Sequence, residues 1–362
     1  FYLKENLTLL NSLSNIVTFM KKFKVLYLIN YAPNYRDKFL RELGKHVDLT
    51  VTSYAGKEAN LTDPKQRVGY NYVQLKRKKI LGINLNPNEF TLGNQDFDVI
   101  IVGYTLWNPY RMLNLLRNNK RVICEGLIYG RNNGLLTKIL RKKFIEASEG
   151  VLVYSQMVKD KLAKETKKPI IIFNNTSFSK NEIKKVDIPQ LCKRLNIIWI
   201  GRYQDRKKVE RLYELACRNK MVNVRLIGPG IREKFSQKEL PENFEIFDSA
   251  YDTELEQHFA WSHVVFNPGG AGLIIMNAAR MGRSIVIDRD SHHGPEIQLA
   301  LDAKQDFIDF SNTTEVDSYI NKIFENEKIL SKKGDYLYEK MHNYTIEYMA
   351  DMYLKAIRGE WL

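Results

Sequence analysis

An apolar run, Asn196-Ile-Ile-Trp-Ile200, ends in Gly201-Arg202, and Lys207 follows five residues after the arginine. A glycine at a strand end lets backbone come close to a ligand, while a guanidinium and an ammonium converging there can neutralise a diphosphate. The chemistry this pattern suits is stabilisation of negative charge growing on a departing phosphate. The plainer alternative is an exposed helix start with Asp205 as an ion-pair partner, and the strand-Gly-Arg context weighs against it. Arg206 and Lys208 are expected to be solvated neighbours.

Further residues of the same kind gather in the second half of the chain. Leu226-Ile-Gly228-Pro-Gly230 reads as a strand running into a glycine loop, and Phe266-Asn-Pro-Gly269-Gly270-Ala-Gly272-Leu273 reads as a glycine-rich turn opening a helix. Backbone N–H groups and the helix dipole at such a turn can receive phosphate. Asn277 lies one turn into that helix and carries both donor and acceptor groups for a ribose hydroxyl. In His292-His293-Gly-Pro295-Glu296 the proline fixes the local backbone and Glu296 falls at a helix start, where the dipole stabilises a carboxylate. His293 is a candidate for sugar contact. The alternatives are a capping role for Glu296 and a satisfied loop histidine for His293.

In the first half, the loop after the first strand holds Asn34, Tyr35 and Arg36, and Glu125-Gly-Leu-Ile-Tyr-Gly-Arg131-Asn-Asn follows a later strand. Asn34, Tyr35, Arg36, Glu125 and Arg131 are candidates for the acceptor side, against the alternative that strand-end polar residues cap helices.

These loops need a scaffold, and the chain supplies alternating strand and helix patterns from Lys24 onward, the signature of parallel sheets covered by helices. Strands are predicted at Lys24–Asn30, Asp48–Ser53, Tyr70–Leu75, Asp98–Gly103, Arg121–Gly126, Gly150–Ser155 and Pro169–Asn175, with a mobile loop at Lys76–Asn88 and a basic helix at Leu135–Ala147. Thr176–Lys193 is polar, carries Pro189 and reads as a linker. The rhythm then restarts through Asn196–Gly201, Val222–Gly228, Phe244–Phe247, His263–Asn267 and Ser284–Asp288. The spacing of Tyr338, Met341, Tyr344, Tyr348 and Met352 predicts one long terminal helix, Tyr336–Ile357, bridging back to the first domain. The expected division is an extension at residues 1–19, an N-terminal Rossmann-like domain at 20–185, a C-terminal Rossmann-like domain at 186–340 and a bridging helix at 341–362. In such α/β sheets ligands bind beyond the carboxyl ends of strands, so the cleft between two facing domains is the expected site.

Composition agrees with a globular chain of 362 residues, 44% apolar and 27% charged, with apolar runs too short to span a bilayer. Three scattered cysteines show no metal-ligand spacing and suggest thiols in a reducing cytoplasm. The net charge of +14 is uneven: residues 1–190 hold 32 Lys and Arg against 16 Asp and Glu, while the remainder holds 24 against 26. That asymmetry suggests an anionic partner for the first half, such as a phospholipid surface, or else a simply solvated lysine-rich face. No GxGxxG follows the first strand, and neither a P-loop, nor HExxH, nor paired zinc cysteines occur. Dinucleotide oxidoreductases, P-loop ATPases and zinc hydrolases are thereby disfavoured, and no interleaved basic-aromatic nucleic-acid module is visible.

The stretches Gly201–Ala216, Leu226–Gly230 and Phe266–Asp290, with Phe173-Asn-Asn175 ahead of the linker, resemble nucleotide-sugar glycosyltransferases of GT-B architecture, most of all the large retaining family numbered four. The resemblance covers nearly the whole chain after Met20. It implies two facing Rossmann-like domains and transfer from a nucleoside-diphosphate sugar to a hydroxyl of a glycan or lipid-linked acceptor, in cell-surface polysaccharide synthesis at the inner membrane face. Arg202 and Lys207 would take the role of a metal ion, and no cofactor beyond the donor substrate is implied. That family places two glutamates eight positions apart where this chain has Gly269 and Asn277, and Glu296 is the candidate for the relocated carboxylate. In an inverting enzyme Asp37 or Glu125 would be the first bases to test. Nucleotide-sugar 2-epimerases share the architecture, and a non-catalytic anionic-surface scaffold is the third alternative.

Overall fold

β-Branched apolar runs separated by amphipathic segments build two parallel sheets in the computed structural model, which describes residues 22–361 other than 60, 77, 117–119 and 130–133. The predicted extension at residues 1–19 and the candidate Arg131 lie outside the described residues.

The first half contains β1 (Lys24–Tyr31), β2 (Asp48–Tyr54), β3 (Asn71–Gln74), β4 (Lys79–Ile80), β5 (Ile83–Asn84), β6 (Val99–Gly103), β7 (Arg121–Gly126), β8 (Gly150–Val153) and β9 (Ile170–Ile172). Seven of these form one sheet in the order β3-β2-β1-β6-β7-β8-β9, every pairing parallel. The second half contains β10 (Leu195–Ile200), β11 (Val222–Ile227), β12 (Phe244–Phe247), β13 (Val264–Asn267), β14 (Ile285–Asp288) and β15 (Asp306–Ile308), ordered β12-β11-β10-β13-β14-β15 and again all parallel. Continuous apolar strands such as Val99–Val102 are fully buried because helices cover both faces. Each sheet reverses its order beside its first strand, and those reversals are where an α/β sheet opens a crevice for a ligand. They fall at β1/β6 and β10/β13.

The segment expected as a loop at Lys76–Asn88 instead folds into the β4–β5 hairpin and the start of a helix, Pro87–Gly93. Its two-residue turn is Leu81-Gly82, with φ of +47° and +85°. Gly82 suits such a turn, but Leu81 does not: a left-handed backbone costs a side-chain-bearing residue about 1–2 kcal/mol, and asparagine is the usual occupant.

The predicted terminal helix is two helices, Lys328–Met341 and Ile346–Arg358. Thr345 ends the first run by capping the second, its Oγ1 accepting from Tyr348 N–H at 3.2 Å. The break lets the chain change partners: Met341 and Tyr344 pack in the second-half core, whereas Ile346, Met349, Tyr353 and Ile357 pack on the first sheet. Tyr353 is fully buried against Phe39 and Phe173, its hydroxyl 3.2 Å from that of Tyr27. Arg121 holds the end of this helix by donating to the carbonyls of Ile357 and Ala356. The return to the first half thus survives the break.

Candidate active site

At the second sheet's reversal, the loop after β10 meets the loop after β13. Gly201 (φ +155°) and Gly228 (φ +141°) end adjacent strands, and a Cβ on Gly228 would fall inside the Gly201 carbonyl. Their role is close approach between two strand ends. Arg202 follows, exposed at the lip of the sheet. Lys207 turns inward, and its Nζ donates to the Gly270 carbonyl at 2.5 Å. Burial, and after it neighbouring Arg206, lower the Lys207 pKa to about 8, with Glu296 opposing both.

Gly270 N–H donates to the Arg206 carbonyl at 2.9 Å, and a Cβ on Gly269 would come within 2.5 Å of Lys207 backbone. The glycine turn is therefore a packing surface for the Arg206–Lys207 segment. No side chain fits at 269, a physical reason for glycine where the resembling family has glutamate. Gly269→Ala should cost about 1–3 kcal/mol by overpacking and displace Lys207, checked by denaturant unfolding together with donor affinity. Gly272 faces open space, and Leu273 beside it is half-buried.

Asn277 donates to the Leu273 carbonyl at 3.4 Å and accepts from Arg280 Nε at 3.2 Å, so its amide is held within its own helix, Ile274–Arg280. Glu296 is 9% exposed and precedes the Ile297–Asp302 helix without capping it. Its Oε1 accepts from Asn175 Nδ2 at 3.1 Å, a contact across the cleft from the end of the first half. Burial raises the Glu296 pKa against the pull of Asn175, Lys207 and Arg206. His293 Nδ1 accepts from Ala271 N–H at 3.2 Å, and its Nε2 is buried near the Asp288 backbone without a well-formed hydrogen bond among the described residues. Burial lowers the pKa of this imidazole and favours its neutral form.

Across the cleft, a cavity of about 770 Å³ opens at the β1/β6 reversal, within the size range of ligand pockets. Its lining lies wholly in the first half and includes Tyr35, Arg36 and Glu125, but not Asn34, which is exposed at the start of a helix. Arg36 and Glu125 are buried and pair with each other at 3.2 Å, with Arg36 also donating to Tyr154 Oη at 3.1 Å. Asp37, the other candidate base, accepts from Tyr70 Oη and pairs with Arg41.

Several contributors were missed in the sequence. Asn175 lies in the noted Phe-Asn-Asn element, but only folding brings it to Glu296. Arg206 has the exposed side chain expected of a solvated residue, yet its carbonyl anchors the glycine turn. Tyr104 and Trp107 line the cavity from the loop after β6, Tyr129 from the loop after β7 and Tyr154 from the end of β8, with no shared motif to mark them. Asp288 is buried at the end of β14 and accepts from Arg211, which also holds the Pro268 carbonyl. The Asp288 carboxylate thereby fixes the approach to the glycine turn.

No protein-family model matches the chain, and no curated protein matches it in sequence. Solved structures do match it over almost its full length. A glycosyltransferase from Rickettsia africae ESF-5 superposes with a TM-score of 0.68 at 13% identity, covering 93% of this chain and 98% of that one. HepE of Anabaena in complex with UDP-glucose gives a TM-score of 0.62 at 10% identity, covering 93% and 100%. The UDP-GlcNAc 2-epimerase from Neisseria meningitidis bound to UDP-GlcNAc gives 0.61 at 13% identity, again covering 93% and 100%. With its two parallel sheets, the cleft between them and the returning C-terminal helix, the chain has the GT-B fold of these proteins.

Proposed function

We propose that this protein is a glycosyltransferase that moves a sugar from a nucleoside-diphosphate sugar to a hydroxyl of a glycan or lipid-linked acceptor. The observation that carries this reading is Lys207, held by the Gly270 carbonyl at the second sheet's reversal and facing a cleft that Asn175 and Glu296 span. In such a transfer the anomeric carbon becomes oxocarbenium-like while negative charge grows on the leaving diphosphate. Arg202 and Lys207 stabilise that charge, the turn at Gly269, Gly270 and Gly272 lies beside the phosphates, and His293 Nε2–H and Glu296 are the groups offered to the sugar. In this scheme the reaction is retaining and independent of metal, with the leaving phosphate taking the acceptor proton. The functional division runs near residue 185, with the Ile346–Arg358 helix returning to the acceptor side.

Likeness to HepE with UDP-glucose and to the epimerase with UDP-GlcNAc supports a nucleotide-sugar donor of this general kind. The epimerase reading keeps the same donor site but requires no acceptor. The separate cavity at the first reversal favours transfer, since it supplies a place for a second substrate. We place the enzyme in polysaccharide synthesis at the cytoplasmic face of a membrane because of the basic first half. No helix among the described residues is long and apolar enough to cross a bilayer.

A thermal-shift panel of UDP, GDP, dTDP, ADP and CMP sugars tests the reading. One donor class should stabilise the protein, and Arg202→Ala should abolish the shift. Stabilisation by none of them overturns the donor site, while conversion of the donor sugar without acceptor replaces transfer by epimerisation.

A further inference from the structure

The cavity at the first sheet's reversal is flanked by apolar side chains that the fold leaves in solvent. On one side the Leu135–Glu146 helix contributes Thr137 to the lining and carries Leu135 and Leu136, 76% and 69% exposed. On another, Trp107 lines the cavity while 59% exposed, and its carbonyl accepts from Asn84 N–H of the β4–β5 hairpin at 2.7 Å. The apex of that hairpin is Leu81, 96% exposed on the unfavourable backbone described above. Turn chemistry alone would place asparagine there, so the leucine answers some other requirement.

The charges on these segments are of one sign except for Glu146 at the end of the helix. No Asp or Glu occurs from Lys65 to Asn88 or from Leu127 to Ile145, and Lys76, Lys78, Lys79, Lys138, Lys142 and Lys143 are exposed. A second copy docking isologously would set this basic face against itself. An anionic leaflet satisfies both features, receiving the apolar side chains among its acyl chains and the lysines among its headgroups.

Building on the transferase reading, we propose that this face inserts shallowly into an anionic bilayer. The hairpin apex and the exposed leucines of the helix then hold the cavity mouth against the leaflet, and the acceptor is a lipid-linked saccharide presented from that leaflet. A soluble glycan would not require such a rim.

The test is flotation of the full chain with phosphatidylcholine vesicles, with and without about 30% phosphatidylglycerol. The protein should float only with the anionic vesicles, and each of Lys138→Gln, Lys142→Gln and Lys143→Gln should lower partitioning roughly fivefold. Leu81→Asn combined with Leu136→Ser and Ile139→Ser should lower it at least about tenfold with all lysines retained. Leu81→Asn alone should weaken binding without lowering the melting temperature, which separates insertion from a folding defect.

Absence from the anionic vesicles at low salt overturns the proposal, as does equal flotation of the apolar variant. A dimer abolished by the apolar substitutions, without vesicle binding, overturns it in favour of a second copy. The donor thermal shift, measured on the same variants without vesicles, separates the two claims. A normal shift with no flotation sinks the docking face alone, and flotation with no shift for any donor sinks the transferase reading alone.

Discussion

Lys207→Ala should lower kcat/KM by about 10²- to 10³-fold, the loss seen when one positioned donor to a developing anion is removed. The effect should fall mainly on kcat if the ammonium meets the diphosphate more strongly as the bond breaks, and mainly on KM if it binds donor and transition state alike. The same residue predicts a pH dependence. In the free protein burial brings Lys207 down to about 8, so it is charged at neutral pH and loses its proton as pH rises through that value. A bound diphosphate favours the charged form and raises the pKa, so donor binding near pH 8.5 should take up protons and weaken as pH rises further. Calorimetry in buffers of different ionisation enthalpy would show this uptake, and Lys207→Arg should remove it. Affinity independent of pH between about 7 and 9.5 would contradict the assignment. For stability the sign is reversed: a depressed lysine pKa means the unfolded chain binds more protons between the folded value and 10.5, so this residue favours folding more as pH climbs through that window.

Arg111→Met should be the most damaging single change to the first half. Arg111 and Glu89 are both fully buried and joined at 3.0 Å, with Glu89 also accepting from Arg111 Nε and Asn108 Nδ2. Arg111 Nη1 donates to the Gly103 carbonyl at the end of β6, and the same side chain lines the cavity. Removing the arginine leaves a buried carboxylate without its counter-charge, a loss of about 3–5 kcal/mol. Replacing both partners, Arg111→Met with Glu89→Leu, should recover at least half of that, because the uncompensated charge is gone. Urea unfolding followed separately in each half would check it, with the transition of the second half expected to stay in place. Equal stability for the single and double variants would mean that the charge is solvated after all.

What the amino-acid order disclosed and what it concealed divide along a physical line. Strand runs such as Val99–Val102 and Ile197–Ile200 are legible because burial on both faces leaves an unbroken apolar string. Gly201-Arg202 was legible as a strand end for the same reason, and so was the turn at Gly269. The reason for glycine at 269 was not, since the obstacle is the Lys207 backbone sixty-odd positions away in sequence. Glu296 could be placed at a helix start, where a capping role was the natural alternative; its bond to Asn175 depends on how the halves face each other. The terminal helix was misjudged because apolar positions at helical spacing continue across His342–Thr345, and only Thr345 hinted at a second start. The cavity aromatics come from unrelated loops, so no periodicity could have gathered them.

Tyr353 and its helical neighbours complete the face of β1 that Phe39 and Phe173 begin. Those partners are made long before Tyr353, by about 9 to 36 s for Phe173 and about 16 to 63 s for Phe39 at 5–20 residues per second. During that interval the nascent first half carries an open apolar face. A nascent-chain holdase would have most to shield just before the final helix emerges.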